Sequence, residues 1–141
     1  MKKAKFDSLS NEVKKLLVSA KNIRMRAHVP FTNYPVGVAI ESEGGRIFYG
    51  CNVEITSLNP TIHAEQAAIA AMIAAGEKRI KKIALITEHG GPPCAFDSQV
   101  IWDFCNNNYD IEIICAKPNL DEVNIFTIKE IYPFLFAIDR K

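Results

Sequence analysis

The chain lacks long hydrophobic runs and paired cysteines, and each absence excludes a class of protein. Its longest apolar run, residues 67–75, is too short to span a bilayer, so we expect no membrane segment. The basic residues 1–5 are not followed by an apolar core, as they would be in a secretory signal. No two cysteines form a CxxC pair, which suits a reducing compartment better than a disulfide-rich scaffold. We therefore expect a cytoplasmic protein.

The chain also lacks a charge surplus of either sign. Lysine and arginine number 17 against 16 acidic residues, for a formal net charge of +1. A nearly neutral chain without a basic stripe is not expected to bind nucleic acid through its phosphates. The hydrophobic fraction of 48% is typical of a globular protein, and 141 residues suit one domain over residues 1–141. Such a domain buries roughly two-thirds of its unfolded surface.

The hydrophobic pattern predicts alternating helices and strands. We expect helices over residues 10–26, 63–75 and 94–106, with Gly76 ending the second. Strands are expected near residues 36–40, 46–51, 82–87, 111–115 and 124–128, the first two forming a hairpin. This order predicts an α/β fold, with a mixed five-stranded sheet between helices in α-β-α layers.

Two short segments at predicted helix starts carry the chemistry. His63-Ala64-Glu65 begins an alanine-rich helix, and Pro93-Cys94 precedes Asp97 by one helical turn. Zinc-dependent base deaminases carry H-x-E followed by P-C-x-x-C. Here Asp97 occupies the last cysteine position, on the same helix face as Cys94.

The chemistry of deamination explains these residue types. A zinc ion with three protein ligands and one open position makes water nucleophilic near neutral pH. We predict His63, Cys94 and Asp97 as its ligands, since a carboxylate oxygen also binds zinc and carries the charge of a thiolate. The helix N-terminus should favour the Cys94 thiolate. Glu65 would carry protons as the general acid/base.

Each of these residues alone has a more ordinary explanation. A histidine before a helix is commonly a cap or a surface group, a single cysteine a small core residue, and an aspartate in the first turn a partner of the helix dipole. Only their joint spacing favours a metal site. Cys105 and Cys115 keep the ordinary interpretation as core residues.

Five segments in order resemble cytidine deaminases of the small homotetrameric class, over nearly the whole chain. Residues 31–37 (FTNYPVG) resemble Y-S-N-F-P-V-G, and residues 50–54 (GCNVE) match G-x-N-V-E. Residues 63–65 (HAE) match (C/H)-A-E, residues 93–99 (PCAFDSQ) resemble P-C-G-x-C-R-Q, and residues 132–136 (YPFLF) resemble L-P-x-x-F.

The resemblance implies roles for further residues. Asn52 and Glu54 would bind the ribose 3′-hydroxyl, and Tyr34 would flank the nucleoside. The backbone at Ala64 would contact the pyrimidine edge. Phe136 would stack on the base in a neighbouring subunit's site, which implies a homotetramer with active sites at its interfaces.

The chain departs from the family pattern beyond Asp97. Ala95 stands for glycine and Ser98 for arginine, and residues 55–58, including Leu58, differ from the usual sequence. Gln66 replaces the arginine that follows C-A-E in enzymes with three cysteine ligands. That arginine offsets the surplus charge of three thiolates, whereas His63 with two anionic ligands leaves a neutral zinc site.

The predicted function is zinc-dependent hydrolytic deamination of cytidine or deoxycytidine to the uridine, as in pyrimidine salvage. A related aminopyrimidine nucleoside is an alternative substrate, because residues 55–58 differ from the family pattern. A non-catalytic nucleoside-binding homologue with an impaired zinc site is a second alternative, because Asp97 and Ser98 replace family residues. Editing of RNA or single-stranded DNA is disfavoured by the neutral charge.

Overall fold

A six-stranded mixed sheet forms the middle layer of the computed structural model, which describes residues 1–57, 59–134 and 136. The strands are β1 (Lys2–Lys5), β2 (Gly37–Ser42), β3 (Ile47–Cys51), β4 (Ile80–Ile86), β5 (Glu112–Ala116) and β6 (Glu122–Thr127). Their order is β1-β6-β5-β4-β2-β3, and of these pairs only β4–β5 is parallel. The helices are α1 (Asn11–Arg24), α2 (Ala64–Ala74), α3 (Ala95–Phe104) and α4 (Ile128–Ile131).

Helices cover both faces of the sheet, as predicted. Alternate residues of the central strands point to opposite sides. One face, with Ala39, Ile86 and Ile114, packs against the buried side of α1. The other, with Leu85 and Ile113 among others, packs against α2 and α3. The α-β-α layer arrangement is therefore confirmed.

The prediction of five strands was wrong, because residues 2–5 form a sixth. They pair antiparallel with β6, with Lys2 opposite Ile125 and Lys5 opposite Glu122. Three of the four residues are lysines, so the segment has no apolar alternation from which a strand could be predicted. Its ladder hydrogen bonds come from the backbone, and lysines are typical of a protected sheet edge.

A serine cap and two glycines fix two helix ends and the β2–β3 turn, and the predicted end of α2 at Gly76 is among them. The Ser10 hydroxyl accepts a hydrogen bond from the Val13 N–H at 3.4 Å and begins α1. Gly76, after α2, has φ +87°, and Gly45, in the β2–β3 turn, has φ +79°. Both values lie in the left-handed region, where glycine carries no Cβ penalty.

Gly50 lets α2 approach the sheet closely. A Cβ built on Gly50 would lie 2.1 Å from the Ala64 carbonyl oxygen and 2.4 Å from the Ala68 nitrogen. Only glycine permits backbone contact at that distance. The first turn of α2 therefore rests directly on β3, which fixes the position of its N-terminus.

The parallel pair fixes the N-terminus of α3. Parallel neighbours need a crossover connection, and α3 lies in the connection from β4 to β5. The loop of residues 87–94 thus leaves the carboxyl end of β4 and enters α3 beside the start of α2. Among the described residues, no helix combines the length and apolar character that a bilayer crossing needs.

Candidate active site

The starts of α2 and α3 bring together three side chains that can ligate a metal. His63 and Cys94 are the N-cap residues of α2 and α3, and Asp97 lies in the first turn of α3. Their ligand atoms all lie within 4.8 Å of one another. The Asp97 Oδ2 atom is 2.6 Å from His63 Nδ1 and 3.1 Å from Cys94 Sγ. The predicted metal ligands are thus neighbours in space.

The chemistry of this set fits a zinc ion. Zinc takes nitrogen, sulfur and oxygen ligands, and in a tetrahedral site the ligand atoms lie roughly 3.4–3.6 Å apart. The two Asp97 contacts, at 2.6 and 3.1 Å, are shorter because they are hydrogen bonds, which a bound ion would replace. Asp97 is only 3% exposed, and among the described residues its second oxygen, Oδ1, has no hydrogen-bond partner. An unpaired oxygen of a buried carboxylate is costly, and a cation beside it offsets that cost.

The pKa of the Cys94 thiol differs in part from the expectation that the helix N-terminus favours the thiolate. Partial burial raises the pKa of the Cys94 thiol most, and the hydrogen bond to the Asp97 side chain and its charge raise it further. The backbone N–H groups of Asp97 and Phe96 lower this pKa, but the net shift is upward. The thiol donates its hydrogen bond to Asp97 Oδ2. The helix N-terminus does favour the thiolate, but its effect is smaller than desolvation. The thiolate would therefore depend on a bound cation.

Glu65 lies beside the three candidate ligands, in the first turn of α2. Its side chain is 3% exposed. Burial, and secondly the charge of Asp97, raise the pKa of Glu65 to about 8. A carboxyl group with its pKa near neutrality can both take up and release a proton under physiological conditions.

One cavity of about 820 Å³ contains nearly all the predicted site residues. That volume is in the usual range for a small-molecule site. The cavity walls include the candidate ligands, Glu65, and the residues predicted for substrate contact: Tyr34, Asn52, Glu54 and Ala64. Phe136 is not among the residues that line it.

Asn52 and Glu54 hold the loop of residues 31–36 at the cavity. The Asn52 amide accepts a hydrogen bond from Val36 N–H at 2.8 Å and donates one to the Tyr34 carbonyl at 2.9 Å. Glu54 Oε2 accepts from the N–H groups of Phe31 at 2.9 Å and Thr32 at 3.2 Å. The Thr32 hydroxyl donates to Glu54 Oε1. The sequence did not predict this supporting role.

Two residues that depart from the family pattern have structural partners. Gln66 Oε1 accepts the N–H of His63 at 3.0 Å, so Gln66 caps the start of α2 and holds the backbone of a candidate ligand. Ser98 is fully buried, and its hydroxyl donates to the Cys94 carbonyl at 2.9 Å. Both side chains stabilise the helix starts. Leu58, in the altered segment after Glu54, lies outside the described residues, as do Leu135 and residues 137–141.

Gln99 holds the backbone of Phe136 against α3. Its amide donates to the Phe136 carbonyl at 2.9 Å and accepts the Phe136 N–H at 3.0 Å. The Phe136 ring is 68% exposed, and Phe134 is 89% exposed. The two rings therefore project from the chain that carries them.

Thr32 is the site residue that sequence reasoning missed. It lines the cavity, and its hydroxyl both donates to Glu54 and accepts the Tyr34 N–H at 3.1 Å. Asn33, between them, has φ +53°, a conformation that asparagine tolerates. A threonine directly before an asparagine was the signal for such a turn.

The two helix N-termini that meet at the cavity carry His-x-Glu and Pro-Cys, the residue pattern of the zinc-dependent base deaminases. The sequence model for the cytidine and deoxycytidylate deaminase zinc-binding region matches residues 10–110. The chain belongs to this family.

Individual relatives support the same assignment. A cytidine deaminase of Sporosarcina psychrophila is 32% identical over 128 residues, covering 89% of this chain and 92% of that protein. The cytidine deaminase structure from Burkholderia pseudomallei is 29% identical with a TM-score of 0.79, covering 91% of this chain and all of that one. The Mycobacterium tuberculosis cytidine deaminase structure is 26% identical with a TM-score of 0.77, covering 92% of this chain and all of that one. The resemblance to cytidine deaminases found from the sequence is confirmed.

Glu54 supplies a prediction on pH and stability. The hydrogen bond from Thr32, followed by the Phe31 and Thr32 N–H groups, lowers the pKa of Glu54 against a smaller opposing effect of burial. A lowered native pKa stabilises the fold above the unfolded-state value, and this stabilisation is lost as pH falls through the native value. We therefore expect Glu54→Gln to be less stable than the unaltered protein at neutral pH. The difference in unfolding free energy between the two proteins should narrow as the pH falls below about 4.3, the ordinary pKa of glutamate.

Urea unfolding of both proteins between neutral and acidic pH measures this difference. A difference in unfolding free energy that stays constant as the pH falls would contradict the role of the ionised carboxylate.

Proposed function

We propose that this chain is a zinc-dependent deaminase of cytosine nucleosides, converting cytidine or deoxycytidine to the uridine with release of ammonia. The observation that carries the proposal is the position of Glu65 beside the cluster of His63, Cys94 and Asp97, all lining one cavity. Family membership supports the same chemistry. The reaction is a hydrolysis, since water supplies the oxygen that replaces the amino group.

His63 Nδ1, Cys94 Sγ and an Asp97 oxygen would hold the zinc ion, leaving one position open toward the cavity. When bound, zinc lowers the pKa of a water molecule and so supplies the nucleophile near neutral pH. As ligands, a neutral imidazole, a thiolate and a carboxylate would together balance the charge of the zinc ion. Gln66 fits this charge balance. No arginine is needed at its position, because the zinc site would carry no surplus negative charge.

Glu65 is the proposed proton carrier. Its carboxylate takes up the proton that the nucleophilic water loses and delivers it to the ring nitrogen next to the amino-bearing carbon. The oxygen of that water bonds to the amino-bearing carbon, and Glu65 then moves the remaining proton of the new hydroxyl group to the amino group. The carbon–nitrogen bond breaks, the carbon–oxygen double bond of the uridine forms, and the amino group leaves as ammonia. The buried position of Glu65 beside the three ligands suits this role, since a proton carrier must reach both the nucleophile and the ring.

The remaining cavity residues would bind the nucleoside. Asn52 and Glu54 are proposed to bind the sugar hydroxyl, with Tyr34 flanking the nucleoside. Ala64 is 1% exposed and is the first residue of α2, where backbone N–H groups have no partner within the helix. Such a group can bind the pyrimidine carbonyl oxygen. In this assignment a backbone N–H group binds the base, and the charged side chains bind the sugar and the metal.

We also propose that the active site is shared between subunits of a homotetramer. Phe136 is outside the cavity of its own chain, yet its backbone is held by Gln99 and its ring is exposed. Other large apolar side chains near the site are exposed as well, including Phe96 at 58% and Ile62 at 43%. A neighbouring subunit would cover these groups and receive the Phe136 ring.

Ammonia release from cytidine and deoxycytidine by zinc-replete protein tests the activity. We expect Glu65→Gln to lower kcat by about 10²–10⁴-fold, because the glutamine amide cannot carry a proton. Glu12→Gln is the matched control, since Glu12 lies on α1 with a side chain 74% exposed. Its rate should equal that of the unaltered protein. No ammonia from either nucleoside would refute the proposal and favour a non-catalytic nucleoside-binding protein.

Mixed oligomers test the shared site. Chains carrying Glu65→Gln and chains carrying Phe136→Ala should each be weakly active. When the two are refolded together, roughly a quarter of the sites should combine an intact Glu65 with an intact neighbouring Phe136. Activity should therefore rise above that of either variant alone. A mixture no more active than the average of the two separate variants would show that each chain completes its own site.

A further inference from the structure

The Thr32 hydroxyl joins two groups at the cavity wall. It donates its single hydrogen to Glu54 Oε1 and accepts the N–H of Tyr34 at 3.1 Å. A hydroxyl has one donor, so the direction of that donor is fixed by Glu54. Because Asn33 turns the chain between them with φ +53°, the same hydroxyl also sets where the chain enters Tyr34.

The hydrogen bonds that Glu54 makes to the loop can be counted against the acceptor sites of its carboxylate. Its Oε2 accepts two backbone N–H groups, from Phe31 and Thr32, and its Oε1 accepts the Thr32 hydroxyl. Each carboxylate oxygen has about two acceptor sites. Among the contacts of the described residues, Glu54 therefore keeps one acceptor site, and it is on Oε1.

Asn52 keeps one hydrogen-bond donor. Its Oδ1 accepts from Val36 and its Nδ2 donates to the Tyr34 carbonyl, which uses one of the two Nδ2 hydrogens. Both Asn52 and Glu54 line the cavity. One spare donor and one spare acceptor are what a single hydroxyl group needs, because it accepts one hydrogen bond and donates another.

We propose that Thr32 is a positioning residue for sugar recognition. Its hydroxyl occupies one acceptor site of Glu54 Oε1 and so directs the remaining one at a sugar hydroxyl of the bound nucleoside. This inference rests on the proposed function. Without the Thr32 hydroxyl, Glu54 Oε1 loses its fixed partner. Tyr34 loses the bond to its N–H, but Asn52 still holds its carbonyl group at 2.9 Å, so the position of Tyr34 is kept.

Comparison of Thr32→Val and Thr32→Ser with the unaltered protein tests the role. Valine has the shape of threonine but no hydroxyl, whereas serine keeps the hydroxyl. We expect T32V to raise the KM for cytidine about 10-fold with kcat nearly unchanged, as for an interaction made equally in the ground and transition states. T32S should stay close to the unaltered protein.

A substrate without the 2′- and 3′-hydroxyls distinguishes positioning from general damage. 2′,3′-Dideoxycytidine keeps the base and the 5′-hydroxyl but has nothing to place between Asn52 and Glu54. Its KM, or its inhibition constant against cytidine, should change less than about two-fold between the unaltered protein and T32V. A loss confined to cytidine is a result that a merely structural role of Thr32 would not give. If T32V does not fold, Thr32→Ala removes the hydroxyl without adding a methyl group in its place.

Equal losses on cytidine and dideoxycytidine would overturn the role of Thr32, and so would a T32S variant as impaired as T32V. Turnover of cytidine by the unaltered protein is measured first. Its absence would refute the proposed function and this inference together. An active enzyme with equal losses on both nucleosides would refute only the role of Thr32.

Discussion

The site depends on two carboxylates buried side by side. Glu65 and Asp97 are each 3% exposed, and the charge of Asp97 contributes to raising the pKa of Glu65. Like charges in a low-dielectric interior repel strongly and lose their hydration. The fold nevertheless holds both groups next to His63 and Cys94, at the starts of two helices. A divalent cation ligated by Asp97 would offset this cost, and Glu65, outside the ligand set, would remain free to carry protons.

The scaffold holds this cluster from two sides. Gly50 allows the first turn of α2 to contact β3 directly, which fixes His63 and Glu65. The crossover from β4 to β5 places Cys94 and Asp97 at the start of α3. On the substrate side, Asn52 and Glu54 hold the loop that carries Tyr34. The candidate catalytic groups thus lie at the starts of two helices, and Tyr34 lies on a loop held by Asn52 and the buried Glu54.

The sequence was sufficient for most of this arrangement. Hydrophobic periodicity predicted three helices and five strands, and the spacing of His63, Cys94 and Asp97 predicted a cluster that the fold assembles. The edge strand of residues 2–5 could not be predicted, because its pairing uses backbone groups and its side chains have no strand pattern. The hydrogen bonds from Thr32 to Glu54 and from Gln99 to Phe136 could not be predicted either. They join residues 22 and 37 positions apart, and only the folded chain brings these together.

The central claim is that His63, Cys94 and Asp97 bind zinc together. The most direct measurement is the zinc content per chain of protein purified without chelators, by atomic emission, beside Asp97→Ala and the exposed-site control Glu12→Gln. We expect about one zinc per chain in the unaltered protein and the control, and a large loss in Asp97→Ala, since three protein ligands are needed. Substoichiometric zinc that is the same in all three proteins would contradict it.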